Sequence, residues 1–96
     1  MKKEYVVGMV LVNKQGLIGQ NVLPGAKGVI VFYDKLSCQL HIIWEKYIKE
    51  AFYFERQIVS KHDKDYWDIS KNNDLSCSMK QYLRQNYPKT AEALDL

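Results

Sequence analysis

The sequence predicts a mainly β domain: a small, strongly bent barrel of about five short strands with a C-terminal α-helix. Three observations carry this. A tight turn, Leu23-Pro24-Gly25-Ala26, feeds directly into the β-branched run Gly28-Val29-Ile30-Val31-Phe32-Tyr33. Apolar runs of strand length recur before and after it, bounded by polar breaks. Beyond Asn73 the apolar period changes from two to about 3.6, the spacing of a helix.

In chain order, residues 5–12 are β-branched and apolar and read as the first strand. Residues 13–26 form a long Gly-containing loop that still carries Leu17, Ile18, Val22 and Leu23. Exposing them all would forfeit burial, so the loop is expected to fold back over one end of the barrel. Pro24 presets φ for the second position of a turn, and Gly25 supplies the positive φ a type II turn needs at the third. Gly28 lacks a Cβ, so a strand can bend sharply there or another group can come close. Residues 28–34 read as the second strand and residues 35–37 as a hairpin connection.

Residues 38–45 alternate. Cys38, Leu40, Ile42 and Trp44 fall on one face, taken as the core face, with Gln39, His41, Ile43 and Glu45 on the other. Residues 46–50 are expected to connect to a fourth strand over residues 51–57, with Phe52 and Phe54 inward and Tyr53 and Glu55 outward. Residues 58–64 read as a polar loop, and residues 66–69 as either a closing strand or a single 3₁₀ turn. Leu75, Met79, Tyr82 and Leu83 then share one helical stripe, started by Asp74 or Ser76 and limited by Pro88 to about Asn86. Thr90 is expected to cap a last turn over residues 91–94. The whole chain, residues 1–96, reads as one domain, with the barrel over residues 5–69 and a helical appendage packed on it over residues 74–96.

Composition bounds the function. With 47% apolar and 26% charged residues the chain is globular rather than disordered. Seven Tyr, three Phe and two Trp are too many rings for so small a core, so some must line a surface. The net charge is +3, and the excess sits in residues 1–37, where Lys2, Lys3, Lys14, Lys27 and Lys35 face only Glu4 and Asp34. That bias suits nucleic acid or an acidic partner but falls short of a dense basic stripe. Cys38 and Cys77 have no CxxC spacing, which indicates neither a metal knuckle nor a redox pair. No stretch reaches the length of a membrane span, and the expected setting is cytoplasmic with both thiols reduced.

The runs Gly8-Met9-Val10-Leu11-Val12, Leu23-Pro24-Gly25-Ala26-Lys27-Gly28-Val29-Ile30-Val31 and Leu40-His41-Ile42-Ile43-Trp44 together resemble the SH3-like barrels. They are similar to the KOW-type version and to small phage and bacterial domains of the same pattern. The resemblance covers residues 5–69 and departs after Trp44, where Glu45-Lys46-Tyr47 replaces the usual Asp-Asn-Gly-type turn. It implies a ligand groove lined by aromatics between the long first loop and the second hairpin, and a small phage or bacterial accessory protein that modulates a host or viral protein.

Four sets of residues bear on chemistry. Tyr33, Tyr47, Tyr53 and Trp67 are candidate partner-binding aromatics. Trp44 is assigned to the core by its inward face, and Trp67 is open to either reading. Lys14, Lys27 and Lys35 sit at loops or strand ends, with Arg56, Lys61 and Lys64 further on, where phosphate contacts are a chemical option. Interspersed acidic residues make ordinary solvated charge the plainer reading. The run His62-Asp63-Lys64-Asp65 with Asp68 lacks the ligand spacing of a cation loop. Cys38 and His41 point to opposite faces of one strand, so they form no nucleophile–base pair. The expectation is therefore a non-enzymatic module with no catalytic residue, metal or cofactor, binding a protein partner. The alternative is RNA or DNA binding through the basic N-terminal half and exposed aromatics.

Overall fold

The computed structural model describes residues 5–14, 24–48, 51–70 and 75–96. They form a five-stranded antiparallel sheet and two short C-terminal helices. The strands are β1 (Val10–Asn13), β2 (Lys27–Asp34), β3 (Gln39–Ile48), β4 (Ala51–Ser60) and β5 (Trp67–Ile69), in the spatial order β4-β3-β2-β1-β5. A 3₁₀ turn, Lys61–Tyr66, leads into β5. The helices are α1 (Cys77–Asn86) and α2 (Pro88–Ala93). Among the described residues, no helix is long and apolar enough to cross a membrane.

Several boundaries differ from the sequence reading, each for a local reason. The first strand begins at Val10 rather than Tyr5. Gly8 adopts φ +95° and the Met9 amide donates to Val6 O at 3.2 Å, so a turn stands where a straight strand was expected. The third strand begins at Gln39, because Cys38 sits in the left-handed region at φ +58°. The Asp34 carboxylate accepts from the Leu36 and Ser37 amides at 3.0 and 3.4 Å, which closes that turn locally. β3 and β4 run three residues further than expected, to Ile48 and Ser60, since their pairing continues unbroken from Gln39↔Ser60 to Ile48↔Ala51. The expected polar loop over residues 58–64 is thus the end of β4 and the start of the 3₁₀ turn. The aliphatics at residues 17, 18, 22 and 23, expected to fold over one end of the barrel, lie outside the described residues, as does Asp74.

The C-terminal segment forms two helices. Ser76 caps α1: its Oγ accepts from the Met79 amide at 3.1 Å and donates to Glu45 Oε1 on β3, tying the helix start to the sheet. Tyr87 closes α1 through its amide to Leu83 O at 2.7 Å. Pro88 then opens α2 at its first position, where its fixed φ fits and its missing N–H costs nothing. Thr90 is consequently buried within α2 instead of capping a later turn.

Each face of the sheet carries a core. On one side Leu11, Ile30, Leu40, Ile42, Trp44 and Trp67 form a cluster joined by Val59 of β4 and Ile69 of β5. Both edge strands contribute to it, so the sheet curls around this inner core. On the other side Val10, Val29 and Ile43 pack under Leu75, Met79 and Leu83 of the helical segment, with Ala91 and Leu94 from the end of the chain. Ile43 was expected to face outward; it is fully buried because α1 lies over it. The anticipated helical stripe is what covers it.

Gly28 is the tightest point. It stands between Leu11 and Trp44 in the ladder, and a Cβ built there would lie 2.5 Å from Trp44 Cε3 and 2.8 Å from Ile42 Cγ2. Gly28→Ala is expected to destabilise the fold by about 1–3 kcal/mol through overpacking, read as a lower urea midpoint. Leu83→Ala is expected to cost about 2–5 kcal/mol by opening a cavity between helix and sheet. A Leu83→Ala protein with an unchanged midpoint would show the helices to be dispensable.

Candidate interaction surface

A register shift on β2 shapes the face that the helices leave open. Val29 pairs with Ile43 and Ile30 with Ile42, but after a bulge Phe32 pairs with His41 and Tyr33 with Leu40. The extra residue is Val31, which packs against the helix-side core. The bulge turns Phe32 to that same side and Tyr33 to the inner side. Ile58 of β4 pairs with His41, so Phe32, His41 and Ile58 form one row across three strands. The helices do not reach it: Phe32 is 49% and Ile58 53% exposed.

His41 anchors this row. Its ring meets Phe32 edge-on at 5.0 Å between centroids. The Arg56 guanidinium donates to His41 Nδ1, which as the acceptor carries no proton, so the imidazole is neutral with its proton on Nε2. Partial burial, and then the Arg56 charge, hold the His41 pKa below its ordinary value, while Asp34 acts in the opposite sense. Asp34 itself is held below the ordinary carboxylate range, chiefly by the Ser37 hydroxyl and amide. Among the described residues, Arg56 has no carboxylate partner.

The residues singled out from sequence are scattered. Tyr53 is 53% exposed on β4, opposite Lys46, where the β3–β4 hairpin runs past the end of β2. Tyr33 is half-buried against the inner core, a consequence of the bulge. Trp67 is only 3% exposed; its indole N–H donates to Tyr5 Oη at 3.3 Å, with the two rings edge-to-face at 6.3 Å. The side chain of Tyr47 lies outside the described residues, as do those at 63–65. Lys14 forms an ion pair with Asp68 at 3.0 Å, and Lys27 pairs with Val12 nearby. Lys35 stands in the turn at the far end of β2, about 26 Å away at the rise of a strand. The three lysines therefore do not share a patch.

Sequence reasoning missed the Phe32–His41–Ile58 row. Its position depends on the bulge and on how far α1 reaches, and Ile58 stood in what read as a loop. Cys38 lies in a turn and Cys77 is exposed in the first turn of α1; neither adjoins a histidine through any described contact. No family model, curated protein or solved structure matches this chain.

The neutral state of His41 has a stability consequence. Because its folded pKa lies below the ordinary 6.5, the unfolded chain takes up a proton first as pH falls. Stability is present above the ordinary histidine value and declines as pH drops below it through the folded value. Urea midpoints measured from about pH 7.5 to 5 are expected to fall, and His41→Asn, which keeps an acceptor for Arg56, is expected to flatten that slope. An equal slope in both proteins would remove His41 as the cause.

Proposed function

We propose that the chain is a non-enzymatic interaction module that binds a protein partner through the uncovered part of its sheet. The observation that carries this is the exposed apolar row of Phe32 and Ile58, beside helices that bury the rest of that face; Tyr53, odd-numbered like Glu55, is exposed on the other face of β4. Large apolar side chains gathered on one surface and bordered by charge are what protein partners bury. The sheet fits the SH3-like reading: a long connection precedes β2, two consecutive hairpins follow, and a short strand returns beside β1. On that reading the chain is a small phage or bacterial accessory protein that modulates a host or viral protein.

The separation of Lys35 from Lys14 and Lys27, and the pairing of Lys14 with Asp68, favour a protein ligand over a nucleic acid. Affinity capture from lysate with and without nuclease is the test. A defined protein is expected to stay bound after nuclease and to be lost with Phe32→Ala or Ile58→Ala, while Tyr53→Ala, on the other face, is expected to leave it bound. Neutralising Lys14, Lys27 and Lys35 together is expected to leave capture and its salt dependence unchanged. Recovery of nucleic acid alone, abolished by the triple lysine change, would replace this reading with RNA or DNA binding.

A further inference from the structure

β4 is the long edge of the sheet. Among the described residues it pairs with β3 alone, in unbroken register and with no proline or bulge. Alternate residues along such an edge direct their N–H and C=O groups outward, a template for one more strand. The side chains that border this edge on the helix side are Phe54, Arg56, Ile58 and Ser60. Phe54 is occupied, stacked on Tyr82 at 4.7 Å. Arg56 and Ile58 are exposed and two positions apart, so both point to the same side of the sheet.

These two side chains state what an added strand must carry. A residue placed opposite Ile58 extends the Phe32–His41–Ile58 row, and an aliphatic one buries it further. A residue opposite Arg56 meets a guanidinium whose described partner is a neutral imidazole, so most of its donors and all of its charge are uncompensated. A carboxylate fits there. The matching segment is thus extended, with an acidic and an aliphatic residue separated by one position.

A second copy of this chain does not meet that requirement. In antiparallel pairing about a two-fold axis, opposed residues lie on one face, so Arg56 meets only the register positions of Phe52, Phe54, Arg56, Ile58 or Ser60 of the other copy. Glu55 always falls on the opposite face. Self-pairing therefore leaves the guanidinium unmatched or sets two of them against each other. We infer that β4 is a docking edge for an extended segment of another protein, which adds as a strand and places a carboxylate on Arg56 beside an aliphatic side chain on Ile58. This inference rests on the interaction-module reading and specifies where and how the partner is held.

The probe is a displayed library of random linear peptides selected against the full chain. Enriched peptides are expected to share an acidic and an aliphatic residue two positions apart, and to slow hydrogen exchange of β4 amides when bound. Arg56→Glu is expected to weaken them by about tenfold or more and to shift a fresh selection from acidic to basic residues; Ile58→Lys is expected to weaken them without changing the charge preference. Both side chains are exposed, and Arg56→Gln is a milder variant that must also weaken binding should Arg56→Glu disturb the fold. Selection of peptides lacking this pair, enrichment of none, or binding indifferent to all three substitutions would overturn the docking edge. If the Arg56→Glu protein still retains the same lysate protein after nuclease, the module reading stands and only the edge assignment fails.

Discussion

The fold depends on Trp44 lying across Gly28. The indole occupies the space that any side chain at position 28 would need, and it fills the centre of the inner core where β1, β2 and β3 run side by side. Burying a tryptophan removes roughly 150–250 Å² from water, worth about 4–6 kcal/mol at 25 cal/mol per Å². Against this stands the Trp44 Nε1 donor, buried with no acceptor among the described residues, at a cost of about 1–3 kcal/mol. Shape outweighs that donor's cost. A position without a Cβ at the point of closest approach lets the sheet curl tightly enough for β4 and β5 to reach the same cluster.

How much of this was legible in the sequence follows from what each signal encodes. Leu40, Ile42 and Trp44 were readable as core because alternation marks one face of a strand, and the stripe of Leu75, Met79, Tyr82 and Leu83 because its spacing marks one face of a helix. Ile43 was misread because alternation cannot tell that a distant helix covers the second face. The Pro24-Gly25 turn was readable from its residues, and Gly25 does adopt φ +89°. The bulge after Ile30 left no such mark, and it alone decides that Phe32 looks out while Tyr33 turns in. Tyr53 was correctly read as exposed, whereas the lysines counted together by charge lie at opposite ends of a strand.

The open part of the sheet and its charge belong to one arrangement. Arg56 sits where α1 ends its cover, and it takes a histidine as acceptor rather than a carboxylate. That choice keeps the imidazole neutral and holds a positive charge at the border of an apolar row. The surface is therefore selective by sign as well as by shape, since a basic partner meets repulsion at the same place where an acidic one finds a donor.

β3, like β1 and β2, lends consecutive residues to both cores: Ile42 and Trp44 face inward while Ile43 lies beneath α1, and Glu45 of β3 also holds the helix cap. The two layers thus share the three central strands as a common spine. Detaching the helices would expose the back of the same strand that supports the tryptophan, and loosening the tryptophan would release the platform on which the helices rest. Opening is therefore all-or-none, with little room for a state in which one layer melts while the other persists. In a chain of this size, cooperativity comes from the same central strands serving two interiors at once.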